Sequence, residues 1–305
     1  MSIHVFPATG SNKRRALEVL FYDLLPDEQT EQIDTVLEAE NRGELDLEGL
    51  YLAEEEEREV GACLTLTQKD RSAFIWPPVV LNPANWERVG SALLQEIHQV
   101  QQAQGILYAQ AMLEPEALDQ QSLLKKNQFE SLARLYFMEC PLETAPTDTP
   151  LLRSGASCRS MSLAELGEEQ AFHGIIERTY EDTLDVPQFN LMRTGAESLE
   201  SHRGNGPFDP ALWFLYYVDE EPAGLILLRD YVTDDKWEIA YMGVIPDYRG
   251  TGLGMYMLQE AINRAREIGR AAIFLAVDSR NHYALEIYKR VGFSQTSIKQ
   301  VLIRK

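Results

Sequence analysis

WEIAYMGVIPDYRGTGLGMYMLQEAINRAREIG, Trp237 to Gly269, is the stretch on which the reading of this chain turns. Its first residues are apolar and aromatic and read as a strand. Pro246 breaks that strand, a turn holding Gly250, Gly252 and Gly254 follows, and an amphipathic helix runs on to Gly269. Glycines at alternate positions let the backbone bend tightly and leave N–H groups uncovered by side chains, and a helix N-terminus adds about half a positive charge beside them. Strand, glycine turn and helix together make an anion site suited to phosphates.

Two phosphate motifs fit badly. A Walker A loop needs Gly-Lys-Ser/Thr, whereas Met255, Tyr256 and Met257 follow the glycines here; the dinucleotide fingerprint would place a third glycine or an alanine at Met255 and an acidic residue about twenty positions on. What stands in the sequence is Arg249-Gly250-Thr251-Gly252-Leu253-Gly254 behind Val244-Ile245-Pro246. It resembles the pyrophosphate-binding motif of the GNAT superfamily of acyl-CoA-dependent N-acetyltransferases, Arg/Gln-x-x-Gly-x-Gly/Ala after Val-x-Pro. A second segment supports the resemblance. After the apolar run Ala271 to Val277 comes NHYALEIYKRVGF, Asn281 to Phe293, which is similar to the family's Asn-x-x-Ala-x-x-x-Tyr-x-x-x-Gly-Phe at Asn281, Ala284, Tyr288, Gly292 and Phe293.

Composition narrows the partners. The formal net charge of −20 is uneven: residues 1–150 carry 11 Lys and Arg against 26 Asp and Glu, and the remainder 17 against 22. Nucleic acid and anionic membrane surfaces are poor partners for such a chain, and a cationic amine is compatible. Cys63, Cys140 and Cys158 show no metal or redox spacing, so no metal is expected. The N-terminus lacks a signal pattern and no run approaches eighteen apolar residues, which together predict a cytoplasmic protein without membrane spans.

In chain order, Ile3–Phe6 reads as a strand, Ser11 as the N-cap of a helix that Pro26 stops, and Asp27 as the start of an acidic helix ending near Gly43. Tyr51–Ala53, Gly61–Thr67 and Ala73–Val80 read as strands, with Glu54–Glu57 as a solvated hairpin tip. Helices near 84–104 and 116–126 and strands near 106–112 and 129–139 follow, and ETAPTDTP, Glu143–Pro150, reads as a linker. A shift of about 164 residues lays Leu94-Gln95-Glu96 on Leu258-Gln259-Glu260, Gly105 on Gly269, and Lys125 and Phe129 on Lys289 and Phe293. The chain therefore reads as two copies of one α/β fold: residues 1–142, a linker over 143–150, and residues 151–305. Tandem GNAT proteins are known, the mycothiol synthases among them, and the resemblance implies for each copy a mixed, mostly antiparallel sheet flanked by helices, with two parallel strands splayed at the cofactor site. In the first copy Asn85 and Arg88 stand where the second has Arg249 and Gly252, only Gly90 matches a motif glycine, and Leu124 replaces Tyr288. The first copy reads as degenerate, the second as the working one.

The resemblance implies the site. Acetyl-CoA would be the co-substrate, its pantetheine paired with the backbone at Met242 and Val244, its pyrophosphate over Arg249, Gly250, Thr251, Gly252, Leu253 and Gly254, and Asn281 nearby. A primary amine is protonated at neutral pH and needs a proton acceptor, for which Glu238 holds the family position. Tyr288 holds the position of the acid that protonates the leaving thiolate; its bland alternative is an aromatic core residue. His173, Tyr241, His282 and Asp278 are weaker candidates, the last two read as helix-capping or surface groups. Glu181, Asp182 and Asp185, in the loop-like stretch 179–210, would suit a cationic small-molecule acceptor. Two other readings stay open: a non-catalytic acyl-CoA-binding or regulatory protein, and another phosphate-ligand enzyme. The sequence is compatible with a monomer or a homodimer.

Overall fold

The computed structural model describes residues 2–68, 70–152, 155–188 and 194–305. Its contacts divide the chain into two compact units, residues 1–132 with 300–305, and residues 133–299.

The first unit contains β1 (His4–Pro7), α1 (Asn12–Leu20), α2 (Pro26–Asn41), β2 (Leu50–Glu55), β3 (Arg58–Thr67), β4 (Ser72–Ile75), β5 (Val79–Val80), α3 (Trp86–Ala103), β6 (Tyr108–Leu113) and α4 (Leu118–Lys126). Pro26 opens α2 as its first residue, where its missing N–H costs nothing, rather than merely ending α1. Glu56 and Glu57 take positive φ at the tip between β2 and β3, as a tight hairpin requires. The sheet runs β1-β2-β3-β4-β6, and β4 and β6 are parallel. Val89, Leu93, Leu94 and Ile97 recur on one face of α3 and are sealed against the sheet with Leu123 and Leu124 of α4.

The second unit contains β8 (Cys158–Ser162), α5 (Leu163–Leu166), α6 (Gln170–Tyr180), α7 (Gly195–Gly204), β9 (Trp213–Val218), β10 (Glu221–Tyr231), β11 (Lys236–Val244), α8 (Leu253–Glu267), β12 (Ala272–Asp278) and α9 (His282–Arg290). Its sheet runs β12-β11-β10-β9-β8, antiparallel except for β11 against β12. One face packs on α8 and α9 through Trp237, Ile239, Met257, Ala261 and Leu285; the other packs on α6 and α7 through Leu225, Leu227, Phe172, Ile176 and Leu199.

The predicted repeat is visible in the element bounds. Shifting α9 by 164 residues gives the limits of α4, and shifting β11 gives the span from the start of β4 to the end of β5. The compact units nevertheless depart from the expected limits of 142 and 151. Strand β7 (Glu130–Pro141) closes the first repeat in sequence, yet its residues 135–141 pair with β12 in the second unit. Strand β13 (Ser294–Arg304) closes the second repeat, yet its residues 300–304 pair with β6 in the first. Both pairings are antiparallel and keep the same register under the shift, Val301 against Met112 and Phe137 against Ala276. The stretch read as a linker is strapped to α8: Arg266 donates to the carbonyls of Leu142 and Ala145, Gln259 to that of Pro146, and Asn263 to that of Thr147. Among the described residues no helix is long and apolar enough to cross a membrane, and no group of three or more His, Cys, Asp or Glu is placed to hold a metal ion.

Candidate active site

The parallel pairing of β11 with β12 is short. It covers Lys236–Ile239 against Ala272–Leu275 and stops, although β11 continues to Val244 and β12 to Asp278. A bulge explains the divergence. Leu227 and Leu228 of β10 face Tyr241 and Ile239, so Ala240 is an extra residue that bends β11 away from its parallel neighbour. Over Ala240–Val244 the edge of β11 that faced β12 is left without a strand partner among the described residues. This is the splay that the sequence led us to expect.

At the end of β11 a 3-10 turn, Pro246–Tyr248, leads into the glycines. Gly250 (φ 75°) and Gly252 (φ 101°) are both in the left-handed region, where a side chain would be strained. Gly252 is the N-cap of α8 and supplies no side-chain cap, and the first turn of α8 contains no acidic residue. The leading N–H groups, at Leu253, Gly254 and Met255, have no acceptor within the helix. A 15-residue helix thus presents its positive end bare of any side chain that would neutralise it.

The matching turn of the first unit is filled from within. Asn82 caps the N–H of Ala84, Glu87 sits in the first turn of α3 and pairs with Lys126 at 2.6 Å, and Arg88 makes two 2.8 Å bonds to Glu55. Gly90, the glycine shared with the motif, is explained by packing: a Cβ there would lie 2.6 Å from Leu123 Cδ2, whereas one at the matching Gly254 would be 3.6 Å from Ile287 Cδ1.

The side chains expected at the site are arranged in ways the sequence did not disclose. Arg249 turns back from the glycine turn, donating through Nε to the Val244 carbonyl at 3.0 Å and through Nη2 to the Thr179 carbonyl at 3.0 Å, at the C-terminus of α6. Thr251 Oγ1 bonds the Tyr248 carbonyl at 2.7 Å and so holds the turn. Met242 and Val244 pair with Ile226 and Gly224 of β10 on their other side. Asn281 caps α9, its Oδ1 accepting from the N–H of Ala284 at 3.3 Å.

Glu238 lies one residue before the last pair of β11 with β12, on the face toward α7. Its Oε2 accepts from Arg229 Nη1 at 2.8 Å and from the Tyr231 hydroxyl at 3.2 Å. Arg229 is buried and also donates to the His202 carbonyl. Tyr288 is 6% exposed, with its ring 5.5 Å from that of Phe293. Burial, and then the negative charge of Asp185, raises its pKa, which keeps the phenol protonated and able to donate. Tyr241 bonds Thr179 Oγ1 at 2.7 Å, and burial raises it well above its ordinary value. His173 lies near Glu169 on its own helix, at 3.9 Å.

Asp278, read from sequence as a capping or surface residue, is fully buried at the end of β12 and held by Arg280, whose Nη2 is 2.5 Å from Oδ2. Asp278 also accepts from the N–H of Val186, and its own N–H donates to Asp185 Oδ1 at 3.0 Å. The region read as loop also contains α7, whose Thr194 and Glu197 form a reciprocal capping box. That box was the signal in the sequence; residues 189–193 lie outside the described residues.

Residues 176–293 match the sequence profile described as the acetyltransferase (GNAT) family. The chain is 25% identical over 221 residues to a mycothiol acetyltransferase of Thermomonospora curvata, covering 72% of this chain and 70% of that one. It is 33% identical over 118 residues to a mycothiol acetyltransferase of Propionibacterium freudenreichii, covering 34% of this chain and 35% of the relative. In fold it is similar to a GCN5-related N-acetyltransferase from Sphaerobacter thermophilus, with a TM-score of 0.63 at 16% identity over 99% of this chain and 95% of that one. A tandem GNAT protein from the clavulanic acid biosynthesis pathway gives a TM-score of 0.51 at 11% identity, covering 99% and 98%.

Proposed function

We propose that this chain, which belongs to the acetyltransferase (GNAT) family through residues 176–293, transfers acetyl from acetyl-CoA to a primary amine of a small molecule by direct attack in a ternary complex. The observation that carries the proposal is the parting of β11 and β12 after Ile239 and Leu275, beside a helix N-terminus left bare behind left-handed glycines. A gap with an unpaired strand edge suits the amides of a pantetheine arm, and bare helical N–H groups suit a pyrophosphate.

On this reading the pantetheine lies along Ala240–Val244 with Met242 and Val244 as backbone contacts, and the pyrophosphate lies over Gly250–Gly254. Arg249 supports the turn from below, and Asn281 sets the start of α9 near the cofactor. The amine loses a proton, its nitrogen bonds to the thioester carbonyl carbon, the carbon–sulfur bond breaks, and the departing sulfur takes a proton from Tyr288. A proton acceptor must take the amine's proton, directly or through water, and Glu238 holds the position that the family resemblance assigns to it; its ion pair with Arg229 counts against it. Residues 1–142 and 151–305 are the two repeats of this reading, the first without a working phosphate turn.

The test is calorimetry of acetyl-CoA with the full chain and with Gly252→Trp. One equivalent that disappears in the variant supports the reading. Two equivalents falling to one would give the first repeat a site of its own, and undiminished binding in the variant would remove the glycine turn from the site.

A further inference from the structure

The two diverging strand ends are joined by a single short stretch of chain. Thr179 and Asp182 accept from Arg249, whose Nε holds the Val244 carbonyl at the end of β11. Six to seven residues after Thr179, Asp185 and Val186 are bonded to Asp278 at the end of β12. The segment 179–186 therefore spans the mouth of the gap, with the side chain of Asp185 fastened at the β12 side. Resting on the acetyl-transfer reading, we propose that Asp185, rather than Glu238, receives the ammonium group of the acceptor and takes its proton.

The charges around the two carboxylates favour this assignment. Glu238 is compensated by Arg229, a cation that is itself buried, and removing the negative charge from that pair would leave a guanidinium uncompensated. Asp185 is bonded to the N–H of Asp278 at the end of β12, and its charge acts on Arg280, on Tyr288 of α9 and on Tyr241 of β11, the last of which also feels Arg249. Among the described residues, the guanidinium of Arg280 bonds Asp278 through Nε and Nη2. Two carboxylates, Asp185 and Asp278, thus lie together with Arg280 bonded to the second, a setting suited to a cationic amine. Burial raises the Asp185 carboxyl, the N–H of Asp278 opposes the shift, and the charge of Asp278 adds to it, which moves the group toward the range useful for a base near neutral pH. The proton goes from the ammonium nitrogen to the Asp185 carboxylate, and the freed lone pair attacks the acetyl carbonyl. Tyr288, close enough to feel the Asp185 charge, protonates the sulfur.

The experiment uses the full chain with acetyl-CoA and, in parallel, glucosamine, spermidine and tyramine, read by release of free CoA thiol. The amine turned over fastest is carried to Asp185→Asn, Asp185→Glu and Glu238→Gln. Asp185→Asn is expected to lose about 10²-fold or more in kcat/KM and to lose the acid limb of the pH profile. Asp185→Glu is expected to recover part of both, with acetyl-CoA affinity by calorimetry kept in each variant. An acid limb that stays in Asp185→Asn and leaves with Glu238→Gln overturns the assignment, as does acetyl-CoA binding without thiol release for any of the three amines. Failure of the wild-type chain to bind acetyl-CoA would instead remove the acetyl-transfer reading itself.

Discussion

Arg249 Nε lies 3.0 Å from the carbonyl oxygen of Val244, so the arginine that opens the glycine motif fastens the end of β11 instead of reaching across the turn. Its Nη2 bond to Thr179 extends the hold to α6. On the proposed reading, an arginine placed this way would support the anion site without being its main charge, which would reside in the helix N-terminus. Arg249→Ala is therefore expected to weaken acetyl-CoA binding by about tenfold, the order of one lost charge-assisted hydrogen bond. It should also speed amide exchange over residues 179–186. A complete loss of binding with unchanged exchange would place the guanidinium on the phosphates.

Tyr288→Phe removes one oxygen from a buried ring and leaves the Phe293 contact in place. With its pKa raised by burial, the phenol keeps its proton throughout the neutral range, so it can act as a donor and not as a base. Turnover should fall by about 10²-fold or more while acetyl-CoA affinity holds. Wild-type turnover in the variant would leave Tyr288 as a packing residue.

Cys158 supplies a pH prediction. Burial, and then the charge of Glu260, pushes its thiol up to about 11. The folded chain thus keeps a proton that the unfolded chain loses near its ordinary value of about 8.5. The unfolded state binds fewer protons over this window, so stability falls as pH rises from about 9 toward 11. Chemical denaturation across that range should show the fall, and Cys158→Ser should make it less steep, the rest coming from Cys63 and Cys140, which burial raises too. In the native protein at pH 8 the thiol should alkylate far more slowly than in the denatured chain, and equal rates would contradict the assignment.

How much of this was legible in the sequence depends on the range of the interaction. The glycine turn and α9 were legible because backbone freedom at Gly250 and Gly252, and the Asn281 cap, are local. The repeat was legible because the same local rules act twice at one spacing. Helix α7 was hidden because few of its side chains are buried, Ser198 and Leu199 among them, which leaves no apolar stripe to count. The pairing of Glu238 with Arg229 was hidden for another reason. A strand says which face a side chain takes, and only the register of β10 against β11 puts those two side by side. Asp278 ends the apolar run AAIFLAV and looked like a surface residue. It is buried because Arg280, two positions on, folds back to neutralise it.

The same limit applies to the final strand of each repeat, and a pair of mutations exposes it. Alternation predicts that β7 and β13 each bury one face, and it carries no label for the sheet each will join. Leu302 and Met138 match under the repeat shift; Leu302 is wholly buried in the core of the first unit, with Leu93, Ile97 and Ala111, and Met138 in that of the second, with Ile226 and Leu275. Truncating either residue removes apolar contacts that its surroundings only partly refill, a loss of roughly 2–5 kcal/mol for such sites. If each last strand stayed with its own repeat, Leu302→Ala would loosen the half of the chain nearer to it in sequence. The observed pairing requires the opposite. Leu302→Ala, three residues from the C-terminal end of this chain, should raise amide exchange at residues 109–113 and leave 272–278 protected. Met138→Ala should do the reverse. Loosening of β12 by Leu302→Ala, with β6 unchanged, would return each strand to its own repeat.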